Sequence, residues 1–173
     1  PDSHLSLIEK VVALKKKVVV ILAGGSVMEL PFADQVDGLL LTYLAGEACG
    51  PAVVDVLLGR VNPSGKLPET WPLTYKDVPS GNYFPGDGTN VLYKESIYVG
   101  YRYYDTFNIA FRYPFGYGLS YTTFTYANLV LKYEFSEGKI RYAVSFDVTN
   151  TGATSGAEIA QLYVASKAVG VYK

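Results

Sequence analysis

The feature that most constrains this chain is a change, part-way along, in the spacing of its apolar residues. Val18 to Ala23 is an unbroken and largely β-branched run, the pattern of a strand buried on both faces, as in parallel sheets. Far downstream, Tyr142, Val144, Phe146 and Val148 alternate with Arg141, Ala143, Ser145 and Asp147. That is a half-buried strand with one wet face. The two patterns belong to different layers, so the chain is expected to pass from an α/β layer into an antiparallel one.

The first layer has its own punctuation. Ser3 is placed to cap a helix carrying Leu5, Leu7, Ile8, Val11, Val12 and Leu14, and Lys15 to Lys17 close it. Cations suit the negative end of a helix dipole, so the lysines read as a solvated helix end. Gly24-Gly25-Ser26 breaks the strand, Val36 to Leu44 is a second apolar run, and Gly46 to Leu58 reads as a helix. Gly59 is placed to end that helix in a left-handed conformation. Helix, strand, strand, helix predicts a layered α/β domain. Pro63, Pro68, Pro72, Pro79 and Pro85 then limit regular structure from Arg60 to Pro85.

After Pro114, Tyr121 to Phe135, Ile140 to Val148 and Ala157 to Val164 are strand-like. Glu137-Gly138 and Asn150-Thr151-Gly152 supply turns between them. Three strands fall short of the roughly seven that close a sandwich. The chain is therefore expected to stop in mid-domain. It also opens at Pro1 without a Met, which suggests a piece of a longer protein.

Composition removes several functions. With 15 Lys+Arg against 16 Asp+Glu the formal charge is −1, which gives no basic footprint for nucleic acid. The longest apolar run is about a third of a membrane span. Cys49 is the only cysteine and His4 the only histidine. An intrachain disulfide is thereby excluded, as are a histidine metal cluster and a zinc site of several cysteines. No cofactor or metal is expected. A free Cys and the absence of any Asn-x-Ser/Thr acceptor fit a cytoplasmic bacterial enzyme.

Each remaining motif has a plain reading. Gly24-Gly25 follows a strand, but G-x-G-x-x-G is absent, so a strand-end turn is expected. Gly65-Lys66 lacks the P-loop spacing, and Leu67 stands where Ser or Thr is required. His4 lies in the first turn of a helix, poorly placed for a serine–histidine pair. Cys49, near a helix start, reads as a buried small side chain.

Nine of the 16 tyrosines fall between Tyr93 and Tyr126. Tyrosine buries a large ring and keeps a hydroxyl that needs a partner. Glu95 and Asp105 flank Tyr98, Tyr101, Arg102, Tyr103 and Tyr104. Rings beside carboxylates can form a sugar site, or a polar seam between domains, and the seam is the expectation. In it most of the rings would be buried with their hydroxyls tied to backbone, and at most one or two would reach substrate.

Longer blocks carry a resemblance. Gly46-Glu47-Ala48-Cys49-Gly50 leads to Val61-Asn62-Pro63-Ser64-Gly65-Lys66-Leu67-Pro68-Glu69-Thr70-Trp71-Pro72. Tyr93 to Asp105 and Pro114 to Phe124 follow in order. These resemble the glycoside hydrolase family 3 C-terminal α/β domain and its exit into a fibronectin type III-like domain. Two departures stand out. Ser96 replaces a usual Gly after Glu95, implying that the backbone there need not be left-handed, and Phe32 stands where Trp is common.

The resemblance implies a partial layered α/β sandwich over 1–113. The connection and first strands of an incomplete antiparallel, fibronectin-like β-sandwich would occupy 114–173. It further implies a retaining β-glucosidase acting on β-glucosides or cello-oligosaccharides. In such enzymes an Asp on a (β/α)8 barrel attacks the sugar and a Glu of the α/β domain is the acid/base. Both are expected outside this chain, so no catalytic residue is assigned to it and its substrate-binding residues are unknown. Glu95 matches the segment after the catalytic loop and is not promoted to that role. The barrel is the expected partner, as another segment or chain. The alternatives are a non-catalytic carbohydrate-binding or interaction module and, within the family, a β-xylosidase or β-N-acetylhexosaminidase.

Overall fold

The computed structural model describes residues 1–165. The end of the expected fibronectin-like span, residues 166–173, lies outside the described residues. The described chain forms two compact units. The first comprises residues 1–54, 66–117 and 161–165; the second comprises 55–65 and 118–160.

In the first unit, α1 (Asp2–Val12) begins one residue before the expected cap. Pro1 is its N-cap, and no side chain closes its first turn. β1 (Val19–Ala23) and β2 (Gly38–Tyr43) pair in parallel, with Val20 opposite Leu39 and Leu22 opposite Leu41. The register is pinned at its start, where Val18 N donates to Asp37 Oδ2 at 2.7 Å and Asp37 N donates to Val18 O at 2.9 Å. α2 (Cys49–Leu57) follows, then β3 (Trp71–Pro72). α3 (Tyr101–Phe107) and β4 (Phe111–Tyr113) come next, and β4 pairs antiparallel with β3.

Leu22, Leu30, Phe32 and Trp71 form the buried centre, with Leu5 and Ile8 of α1 packed against it. Trp71 is only 1% exposed, which makes it the hub. The core takes one face of the parallel pair. Val19 and Ile21 of β1 remain exposed, although parallel strands are ordinarily covered on both sides.

α3 was not foreshadowed by the sequence. It is one short helix, with Gly100 ahead of it and Asn108 behind it in the left-handed conformation (φ 53°) that Asn tolerates. The end of α2 matches expectation in detail. Gly59 has φ 69°. Arg60 N donates to Asp55 O at 2.8 Å and Gly59 N to Val56 O at 3.0 Å. These are the paired bonds of a Schellman cap.

The second unit is dominated by a long hairpin of β5 (Phe124–Ser136) and β6 (Lys139–Asn150). Its turn is Glu137-Gly138, both at positive φ, as a two-residue type I′ turn requires. The alternation gathers the apolar residues as cross-strand pairs, Leu131 with Val144, Tyr133 with Tyr142 and Phe135 with Ile140. The expected half-burial is not met: Tyr133, Phe135 and Tyr142 are exposed, and only Val144 and Phe146 of the four alternating residues are half-buried. The third expected strand, Ala157 to Val164, is not one; no ladder forms there. A strand-like composition needs a partner edge, and none is paired with it among the described residues. The class is thus α/β: a partial layered sandwich followed by an incomplete antiparallel one, with no closed barrel among the described residues.

Candidate functional site

Ligands of open parallel sheets gather beyond the carboxyl ends of the strands. In this chain β1 ends at Ala23 before Gly24-Gly25, and β2 ends at Tyr43 before Leu44. Tyr43 itself sits at φ 49°, a conformation costly for a bulky residue. That backbone aims its hydroxyl at Glu69, and Tyr43 Oη donates to Glu69 Oε1 at 3.2 Å. Burial raises the Tyr43 hydroxyl above its ordinary range, and the Glu69 charge adds to the rise. The nearby Trp71 indole N–H opposes it. That N–H is nevertheless buried without a hydrogen bond of good geometry among the described residues.

Nothing in the sequence pattern had singled out Tyr43, Glu69 and Trp71 as a group. The usable signal was a polar residue closing an apolar strand, at the end where α/β sheets bind ligands. Chemically the group offers one carboxylate, one hydroxyl and one indole donor. Sugar hydrolysis by the usual route needs two carboxylates, about 5–9.5 Å apart.

Glu95 and Asp105 are placed differently. Asp105 is exposed on α3, while Glu95 is half-buried in the turn before it. Glu95 O accepts from Tyr98 N at 2.8 Å, and Glu95 Oε2 is buried with no hydrogen-bond partner among the described residues. Ser96 corrects the expectation from its side chain. Its φ is 51°, so the left-handed backbone favoured by glycine persists here with a serine in it.

The tyrosines around these carboxylates meet one another. Tyr98 and Tyr103 both contact Phe107, with ring centroids 4.9 and 5.4 Å away. Tyr101 meets Phe115 at 5.3 Å, and Tyr104 meets Phe111 edge-on at 6.1 Å. Such pairs each add about 0.5–1.5 kcal/mol beyond their buried area, which accounts for a helix as short as α3. Of the nine clustered tyrosines only Tyr104 is buried, contrary to the expectation that most of the rings would be. Burial, with Asp77 and Tyr103 adding, pushes the Tyr104 hydroxyl up to about 12. Tyr121 does tie its hydroxyl to backbone, donating to Val56 O at 2.8 Å.

A separate hollow of about 240 Å³ lies over the 82–92 loop, lined by Tyr83, Phe84, Asp87 and Asn90 among others. Asp87 Oδ1 accepts from Thr89 N and Asn90 N at 2.9 and 2.7 Å. Those bonds hold its carboxyl below the usual range. His4 is exposed on α1, and Cys49 is half-buried at the start of α2. Among the described residues, no three His, Cys, Asp or Glu stand together to hold a metal. No described helix is long and apolar enough to cross a membrane.

Residues 1–121 match the glycosyl hydrolase family 3 C-terminal domain. This chain belongs to glycosyl hydrolase family 3. The family 3 chain is 48% identical over 165 residues to thermostable beta-glucosidase B of Acetivibrio thermocellus, covering 95% of itself and 22% of that protein. It is 43% identical over 166 residues to an exo-alpha-(1->6)-L-arabinopyranosidase of Bifidobacterium breve, covering 95% of itself and 22% of that protein. Among solved structures, beta-glucosidase 3B of Thermotoga neapolitana, in complex with glucose, aligns with TM-score 0.74 and 49% identity. That alignment covers 83% of this chain and 20% of the other. The chain spans about a fifth of the length of the curated relatives it matches. Its resemblance to the family through Glu69-Thr70-Trp71-Pro72 thus includes the residues gathered at the sheet end.

Proposed function

We propose that this chain is part of a retaining β-glucosidase that removes terminal non-reducing β-D-glucosyl residues. It would supply a wall of the sugar site and a scaffold, and not the catalytic pair. Residues 1–113 would be the second part of the family's C-terminal α/β domain, and 114–173 the connection and first strands of a fibronectin-like domain. The missing partner is a (β/α)8 barrel in another segment or chain. The observation that carries this reading is the 48% identity to a β-glucosidase across 95% of the chain. The geometry agrees with it: the sheet-end group offers a single carboxylate, Glu69, where hydrolysis needs two.

The test expresses the full-length protein that contains this segment, and the 173-residue chain alone, and assays both on nitrophenyl β-glucoside. Turnover by the full-length protein and none by the isolated chain is expected. Clear turnover by the isolated chain, lost in Glu95→Gln, overturns the reading. Calorimetric titration of the isolated chain with glucose and cellobiose separates a binding module, which would bind tightly, from a scaffold, which would be silent. A second substrate reading, an α-L-arabinopyranoside, is favoured by the 43% identical relative of that activity. Running the nitrophenyl α-L-arabinopyranoside in parallel decides between the two.

A further inference from the structure

We infer that residues 91–99 are a docking surface of the larger protein, and that Glu95 receives there a cationic side chain from outside these 173 residues. The inference rests on the reading of this chain as one segment of a larger glycosidase, and it adds a specific contact to that reading.

The starting point is an electrostatic debt. Glu95 Oε2 is buried and has no hydrogen-bond partner among the described residues. A carboxylate oxygen taken out of water without a donor is costly, and native folds supply a counter-charge or a donor. The cations closest in sequence are turned elsewhere. Lys94 Nζ lies 4.7 Å from the centre of the Tyr83 ring, and the Arg102 guanidinium lies 5.8 Å from that of Tyr101. The turn that holds Glu95 is itself strained, with Ser96 at φ 51°. Strain of this kind persists where the surroundings hold it in place.

Around that carboxylate the chain shows apolar residues to water. Leu92, Tyr93, Ile97 and Val99 are 55%, 82%, 52% and 55% exposed, and Val91 is 45% exposed. None of these five residues lies in a helix or strand. Exposed apolar residues on both sides of a carboxylate oxygen shut off from water are the make-up of an interface centre, where hydrophobic cover excludes water and a matching charge fixes register. The occupant is the remainder of the same protein. The chain spans only about a fifth of its relatives, which leaves ample polypeptide to lie over this segment.

The test is hydrogen exchange with peptide mapping on the full-length protein, comparing wild type with Glu95→Gln. The substitution keeps the shape of the side chain and removes its charge. Loss of a charge-assisted contact predicts roughly tenfold or faster exchange in residues 91–99 and in at least one peptide outside these 173 residues. Exchange that changes only inside residues 1–173 overturns the inference, and so does no change at all. A change that grows on dilution marks a second copy as the occupant and also overturns it. If Glu95→Gln does not fold, Tyr93→Ser at an 82% exposed position carries the same readout. Normal β-glucoside turnover with unchanged protection sinks this inference alone. Lost protection in a protein that hydrolyses no glycoside sinks the functional reading alone.

Discussion

Trp71 gives the sharpest test of the packing, because its ring and its N–H pull in opposite directions. The indole is 1% exposed at the centre of the core. Trp71→Ala should therefore cost about 3–5 kcal/mol, the usual range for emptying such a site. Trp71→Phe removes roughly 40 Å³, worth about 1 kcal/mol at some 24 cal/mol per Å³ of cavity. It also removes a buried N–H that lies near the Tyr43 hydroxyl but makes no hydrogen bond of good geometry among the described residues. Relieving that poorly paired donor returns about 1 kcal/mol, the low end of the usual range. The two terms offset each other, so Phe should be close to neutral while Ala is severe. Guanidinium unfolding of the 173-residue chain, followed by circular dichroism, measures both variants. Trp71 is the only tryptophan in the chain, so its emission in the wild type should be blue-shifted. A Phe variant as damaged as the Ala variant would refute the poorly paired N–H, and red-shifted emission would refute the burial.

Other outcomes follow from the same geometry. Ser96→Gly should stabilise the chain by about 0.5–1 kcal/mol in thermal or denaturant unfolding, because φ 51° suits glycine; destabilisation would mean that the serine side chain does more than tolerate its backbone. Tyr104 should be the late-titrating phenol, near 12, visible as a step in ultraviolet absorbance that Tyr104→Phe removes. Its folded value lies above the ordinary 10.0, so the folded state holds that proton longer than the unfolded chain does. The resulting stability is complete below about pH 10 and declines as pH rises towards 12. Stability that climbs over that interval would contradict the assignment.

The legible parts of this chain were those with a strong period or a strong terminator. β1 and β2 followed from unbroken apolar runs, the hairpin from strict alternation, and the end of α2 from Gly59. The Glu137-Gly138 turn was readable because so few dipeptides accept two positive φ angles. Tertiary partners were not readable. α3 carries Tyr at 101, 103 and 104, a weak helical sequence that stands because Phe107, Phe111 and Phe115 pack its rings. Ala157 to Val164 has the composition of a strand and forms none, since a ladder depends on an edge elsewhere. At the candidate site, Glu95 and Asp105 stand out in the sequence because tyrosines lie between them. The Tyr43–Glu69 bond joins residues 26 apart in sequence, and no local pattern announces such a contact.

The central claim is that this chain shapes a glycosidase site without carrying the residue that attacks the sugar. A fluorinated glucoside that traps the covalent glycosyl-enzyme tests it most directly, applied to the full-length protein and followed by peptide mapping. The account predicts that the trapped sugar lies on a carboxylate outside these 173 residues, with no labelled peptide from within them. A glycosyl ester on Glu69, Glu95, Asp105 or any other carboxylate of this chain would contradict it.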